Sequence, residues 1–198
     1  MIIGLTGSIA TGKSTVSKMF KERGYPIVDA DEISRLVVEP GSAVLAHIAA
    51  SFGADMLRTD GTLNREKLGA HIFTNEAERE TLNGIIHPAV RAEMVRQKEY
   101  WIEKGAKTVI MDIPLLFESR LQSYVDRIVV VSAKPEIQLS RLMERNSLTE
   151  KEARARITSQ LPVSEKEKDA DAIIHNNGTL KDTEKQLDAI LLDWHAEL

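Results

Sequence analysis

Gly7-Ser8-Ile9-Ala10-Thr11-Gly12-Lys13-Ser14 is entered from the apolar run Met1-Ile2-Ile3-Gly4-Leu5 and followed by Thr15-Val16-Ser17-Lys18-Met19-Phe20. The spacing G-x-x-x-x-G-K-[ST], set between a short β-type run and an amphipathic helix, is that of a phosphate-binding loop. Each part has a physical task. The strand holds the turn rigidly, and Gly7 and Gly12 permit backbone angles that a Cβ would forbid. Ala10, Thr11 and Gly12 then lie where successive N–H groups point inward at a polyphosphate, with the positive end of the helix dipole behind them. Lys13 brings a mobile point charge to the β/γ oxygens, and the Ser14 hydroxyl is suited to the coordination shell of Mg²⁺. Thr15 adds a hydroxyl or N–H near the α-phosphate. The chain is therefore expected to bind a nucleoside triphosphate.

With 198 residues, the chain suits one core domain with insertions, large enough to bury a core without disulfides. A formal net charge of −4 argues against a nucleic-acid binder. The absence of cysteine removes disulfides and thiolate metal sites and suits a reducing compartment. The short N-terminal apolar run has no basic lead-in and flows into the phosphate loop, unlike a signal peptide. No later stretch approaches the ~20 apolar residues of a membrane span. A cytoplasmic chain with no membrane partner is the expectation.

Outward from the loop, Arg23-Gly24-Tyr25-Pro26 reads as a helix stop and turn. Ile27-Val28-Asp29-Ala30-Asp31 reads as a second strand ending in acid, which would place Asp29 and Asp31 on one face if the strand extends that far. Glu32 to Val38 is helical in pattern and sets Arg35 one turn from Asp31. There Arg35 can act as a salt bridge at the helix start or as an anion clamp. From Glu39-Pro40-Gly41 to about Lys107 the chain reads as a mostly helical insertion. Helical spacing marks Ala43 to Phe52, Asp60-Gly61 marks a turn, and Leu63 to Leu68 enters a further helix. Thr74-Asn75-Glu76-Ala77-Glu78 carries cap-like residues. Pro88 is expected in the first turn of a helix running to about Ile102, with His87 and Arg91 one turn apart. A histidine before proline is more often a cap or a buried hydrogen-bonding group than a catalyst.

Thr108-Val109-Ile110-Met111-Asp112 is an apolar run closing on an acid, a Walker B-like arrangement in which Asp112 organises Mg²⁺ beside Ser14. The loop Ile113-Pro114-Leu115-Leu116-Phe117-Glu118 follows, with Leu115 and Phe117 able to meet a ligand or simply to fill core. Asp126 to Ser132 is a continuous β-branched strand of the kind buried on both faces. Pro135 begins a helix bearing Arg141 and Arg145. Thr149 and Glu152 form a capping-box pattern for the next helix. This charged segment is either a solvated helix pair or a lid whose arginines close over a triphosphate. Ala172 to His175 is a last strand, and the turn Asn176-Asn177-Gly178 is placed to offer amides, Asn177 among them, to a purine edge. A helix from Leu180 carries Leu187, Ile190, Leu191 and Trp194 at helical spacing. Five strand candidates alternating with helices imply a three-layer α/β fold with a parallel sheet.

A phosphate loop serves small-molecule kinases, GTP switches and ATPases. No Asn-Lys-x-Asp guanine motif occurs, and the chain is short for a motor, so a kinase suits it best. Gly4-Leu5-Thr6-Gly7 with the loop, Val28-Asp29-Ala30-Asp31 with Arg35, His87-Pro88 with Val90-Arg91, Asp112 to Glu118, Arg141 with Arg145, and Asn176-Asn177-Gly178 run in one order through nearly the whole chain. In these the sequence resembles the dephospho-coenzyme A kinase family. The resemblance implies the P-loop NTP hydrolase fold of nucleoside monophosphate kinase type, with a five-stranded parallel sheet. It implies a nucleotide core over residues 1–37, 108–140 and 164–198, a helical acceptor domain over 38–107 and a helical lid over 141–163. It also implies transfer of the ATP γ-phosphoryl to the ribose 3′-hydroxyl of dephospho-coenzyme A, with Mg²⁺ held at Ser14 and Asp112. Asp31 would act as base, Lys13 and Arg141 on the phosphates, and Arg35, His87 and Arg91 on the acceptor. A monomer or weak homo-oligomer is expected. Ser8 stands where the family often has Gly, and Thr11 where it often has Ser. The alternatives are a kinase of another small metabolite and a nucleotide-dependent binding module.

Overall fold

The computed structural model describes residues 1–73 and 75–198. Its strands and helices are β1 (Ile2–Gly7), α1 (Lys13–Glu22), β2 (Ile27–Asp29), α2 (Ala30–Leu36), α3 (Ala43–Phe52), α4 (Arg65–Phe73), α5 (Glu76–Glu103), β3 (Val109–Asp112), β4 (Arg127–Ser132), α6 (Pro135–Asn146), α7 (Glu150–Thr158), α8 (Val163–Lys168), β5 (Ala172–His175) and α9 (Leu180–Asp193). One five-stranded sheet has the order β2-β3-β1-β4-β5. β1 pairs in parallel with β3 on one side and β4 on the other, and β4 pairs in parallel with β5. The α/β fold with a five-stranded parallel sheet expected from the sequence is the fold found.

The central strands are apolar on both faces because both faces are covered, as a parallel sheet with crossover helices requires. Ile3, Leu5, Val109, Ile110, Met111, Val129, Val130 and Val131 are all at 0 % exposure. On one face Val16 and Phe20 of α1 and Leu187 and Leu191 of α9 pack with Ile3, Leu5, Ile110, Val129 and Val131. Phe20 meets Tyr25 edge-on, with ring centroids 5.9 Å apart. Because the chain leaves β1 toward β2 and β3 on one side and reaches β4 and β5 on the other, the loop after β1 opens at the switch in strand order. Open α/β sheets place their ligands there.

Two compact units emerge: residues 1–28 with 98–198, and residues 29–97. The first carries the sheet from β1 to β5. The second has a core of its own in Val38, Leu45, Ile48, Met56, Leu63, Leu68 and Leu82. Its chain reverses at Asp60-Gly61, where Gly61 takes φ +81° and an isolated antiparallel bridge joins Leu57 to Leu63.

Local expectations differ at several points. β2 stops at Asp29, because the Asp29 carboxylate accepts from the Asp31 and Glu32 amides at 2.8 and 3.1 Å and starts α2 there. Asp31 is therefore a first-turn helix residue and does not share a strand face with Asp29. Pro88 lies inside α5, which runs unbroken for 28 residues. The missing N–H and ring crowding cost about 3 kcal/mol locally, and Leu82 and Met94, buried on either side, hold the helix together. Helix α8 has no counterpart in the sequence reading. Thr74, one of the cap-like residues, lies outside the described residues; Asn75 caps α5 through its side-chain oxygen, which accepts from the Glu78 amide at 3.2 Å.

Candidate active site

The phosphate loop is built as its composition demands. Gly12 sits at φ +95°, ψ +21° as the residue before α1, and a Cβ there would lie 1.9 Å from Asn176 Nδ2. A Cβ on Gly7 would lie 2.7 Å from the Val131 carbonyl and 2.8 Å from Thr11 Oγ1. Ala10 also takes a left-handed angle, φ +61°, which turns its amide out of the strand direction. Side chains from distant segments fix the turn. Asn176 Nδ2 donates to the Thr11 carbonyl at 2.9 Å while its Oδ1 accepts from Thr183 at 3.0 Å. Gln138 of α6 donates to the Ile9 carbonyl at 2.7 Å, and the Ile9 amide donates to Gln160 Oε1 at 2.8 Å. Thr11 is fully buried with its hydroxyl donating to the Ser8 carbonyl at 2.9 Å, so this side chain shapes the loop from inside. The Thr15 amide donates to the Gly12 carbonyl at 3.0 Å.

Lys13 and Asp112 are brought together. Lys13 Nζ lies 2.5 Å from Asp112 Oδ1, where the lysine side chain is 17 % and the carboxylate 3 % exposed. Register explains the meeting, since Leu5 of β1 pairs with Asp112 of β3 and the loop opens just beyond. Ser14, in the first turn of α1, is exposed. Past Asp112, Leu115 is exposed, whereas Phe117 is buried and belongs to the core side of its loop. Asn177 has its side-chain oxygen engaged by the Lys134 amide at 2.7 Å, tying the β4–α6 and β5–α9 loops together. Arg141 stands one helical turn beyond Gln138 on α6, on the face that meets the phosphate loop. Its Nη1 is buried with no hydrogen-bond partner.

In the other unit, Asp31 and Arg35 lie one turn apart on α2, both exposed. His87 is exposed on α5 and Arg91 half-buried one turn later. A cavity of about 290 Å³ is lined by Glu32, Ile33, Arg35, Leu36, Glu39 and Gln97. Of these cavity residues the sequence reading offered only Arg35 as a ligand-binding group, and it missed Gln138, Gln160 and the loop-holding role of Asn176. Only Asn176 had a local signal, its place in a turn of high loop propensity.

The donor set fits a triphosphate with a hard divalent cation. A cradle without Cβ atoms, a lysine resting on a carboxylate and an orphaned guanidinium nitrogen are groups that a polyanion would complete. Ser14 and Asp112 are oxygen donors of the type Mg²⁺ accepts when phosphates and water fill the remaining positions. Among the described residues no cluster of three or more His, Cys, Asp or Glu is placed to hold a metal by itself. No described helix is long and apolar enough to cross a membrane.

Residues 1–182 match the family model described as dephospho-CoA kinase. A curated dephospho-CoA kinase of Geobacillus kaustophilus (strain HTA426) is 56 % identical over 196 residues, covering 99 % of this chain and 98 % of the relative. Among solved structures, a protein of Thermus thermophilus superposes with TM-score 0.82 at 32 % identity, covering 98 % of this chain and 97 % of that one. The dephospho-CoA kinase from Campylobacter jejuni superposes with TM-score 0.75 at 28 % identity, covering 98 % and 96 %. The chain belongs to the dephospho-CoA kinase family, the kinases of the final step of coenzyme A biosynthesis.

Proposed function

We infer that the chain transfers the γ-phosphoryl group of ATP to the ribose 3′-hydroxyl of dephospho-coenzyme A, yielding coenzyme A and ADP. The observation that carries the reading is the contact of Lys13 with Asp112 across the loop mouth, in a chain matched to the family over residues 1–182. The amides of Ala10 to Ser14 and the Lys13 ammonium bind the phosphates, with the Thr15 hydroxyl toward the α-phosphate. Ser14 and Asp112 would hold Mg²⁺, which when bound neutralises charge on the β/γ oxygens. Arg141 supplies its unpartnered guanidinium N–H to the transferring group from the lid, residues 141–163.

The acceptor domain over residues 38–107, entered through α2, presents the hydroxyl. Asp31 accepts its proton. Arg35, His87 and Arg91 hold the acceptor's anionic groups. The exposed Leu115 offers apolar contact, while Phe117 supports that loop from below. Asn177 borders the adenine side through the loop it fixes. Catalysis is then positioning plus charge stabilisation, as in-line phosphoryl transfer requires. Residence in the cytoplasm as a monomer or weak homo-oligomer, acting on small molecules alone, belongs to the same reading.

Labelled ATP offered with a panel of acceptors tests it. Label is expected in dephospho-coenzyme A as a 3′-phosphomonoester, located by ³¹P NMR. Transfer to a nucleoside monophosphate with none to dephospho-coenzyme A would replace the acceptor. ATP binding without transfer to any acceptor would point to a binding module.

A further inference from the structure

Lys166, on the short helix α8, is fully buried. Its ammonium has three N–H donors, and each has an acceptor: the Gly7 carbonyl at 3.3 Å, the Pro114 carbonyl at 3.2 Å and Glu118 Oε1 at 2.9 Å. Gly7 opens the phosphate loop, and Pro114 is two residues past Asp112. Glu118 Oε1 also accepts from the Leu161 amide at 3.2 Å, and the Leu161 carbonyl accepts from Ser8 Oγ at 3.3 Å. The Pro114 carbonyl takes a second donor, Thr6 Oγ1, at 3.1 Å.

We propose that Lys166 is a positioning residue for phosphoryl transfer: its ammonium ties the entrance of the phosphate loop to the segment after Asp112. It thereby fixes the separation between the cradle and the carboxylate that would hold the metal. The proposal rests on the kinase reading above. A tether made only for stability has no need of a charge, because replacing a buried ion pair by apolar side chains of similar volume is often neutral or stabilising. What the ammonium supplies is directional. One atom fixes two carbonyls and a carboxylate from two segments, which carry Gly7 and Asp112, and the same carboxylate holds the end of the lid through the Leu161 amide. A misplacement of about 1 Å in such a site costs on the order of 100-fold in rate.

The test compares Lys166→Met with the parent in two readouts. One is the affinity for ATP by fluorescence titration, with Mg²⁺ and in EDTA. The other is kcat as a function of Mg²⁺ concentration. Expected are a metal-free ATP affinity within about 3-fold of parent, a loss of about 10-fold or more in the tightening that Mg²⁺ gives, and a kcat reduced about 10- to 100-fold with a raised half-saturating Mg²⁺. A folded variant whose kcat falls by the same factor at every Mg²⁺ concentration, with both affinities intact, overturns the proposal, since a smaller active fraction behaves that way. Unchanged kinetics overturn it too. Should Lys166→Met not fold, Lys166→Met/Glu118→Met removes both charges and is read in the same way; failure of both to fold, shown by circular dichroism, also overturns it, because the pair is then a requirement of the fold. A parent that binds ATP but transfers nothing to dephospho-coenzyme A defeats the kinase reading while the affinity readout still judges Lys166.

Discussion

The Asp29 carboxylate is occupied by the Asp31 and Glu32 amides, while the Asp31 carboxylate is exposed one residue into α2. Two acids at one strand end therefore divide into a cap and a candidate base. Asp31→Asn should lower kcat by about 100- to 10,000-fold and leave ATP affinity as it is. Asp29→Asn keeps a good cap and should retain most turnover. Steady-state kinetics paired with ATP titration decides the matter, and near-parent turnover in Asp31→Asn would remove it from the base role. Arg141 poses the opposite question, a cation whose Nη1 is buried and unmatched. Because an unsatisfied buried donor costs about 1–3 kcal/mol, Arg141→Ala should leave thermal stability equal or raised while kcat/KM for ATP falls at least about 10-fold. A variant that loses stability and keeps its kinetics would make Arg141 a packing residue.

At the scale of elements, the helix starts show how local chemistry fixes boundaries. Thr149 and Glu152 cap α7 reciprocally: the Thr149 amide and hydroxyl donate to Glu152 Oε2 at 2.9 and 2.6 Å, and the Glu152 amide donates back to Thr149 Oγ1 at 3.4 Å. Thr179 and Asp182 do the same for α9. Hydrogen bonds from the threonines, side chain first and backbone next, hold both carboxyls below the usual carboxylate range. A depressed folded-state pKa means that the unfolded chain takes up the proton first. Both caps should hold fully above the ordinary carboxylate values, about pH 4, and be lost as pH falls through the lower folded values. Amide exchange at Thr149 and Thr179 followed from pH 6 to pH 3 should show the helix starts fraying in that window. Glu152→Gln should abolish the pH dependence at α7 alone, and a fraying profile unchanged by that substitution would sink the assignment. The box at α7 was legible from four residues of sequence, as were the phosphate loop and the apolar runs of β1, β3 and β4, because each is written within one turn or one strand. The contacts by which Asn176, Gln138 and Lys166 hold the loop were not legible. Their partners lie 165, 129 and 159 residues away, and only the strand order brings those segments to one loop. The end of β2 was misplaced by the same kind of competition that makes caps, since Asp29 turned its side chain to the backbone ahead of it. Pro88 misled because a long helix with buried residues on both sides of the proline can absorb one missing bond.

For the molecule as a whole, the chain passes between its two compact units at residues 28–29 and 97–98, the second crossing within α5. The residues assigned to ATP, from Ala10 to Thr15 with Asp112 and Arg141, belong to one unit; Asp31, Arg35, His87 and Arg91 belong to the other. Each unit has a separate hydrophobic cluster, so each can gain ligand-linked stability by itself. A ligand at about 100 times its Kd stabilises what it binds by about 2.7 kcal/mol, enough to slow exchange through opening of that unit about 100-fold. Hydrogen exchange with ATP alone should therefore protect amides of residues 7–16 and 136–141, and leave those of residues 31–36, 87 and 89–91 near their free rates. Dephospho-coenzyme A alone should do the reverse. Protection by ATP of both sets to the same degree would show that the donor and acceptor sides are not separable in stability, and the division of roles between the units would fall with it.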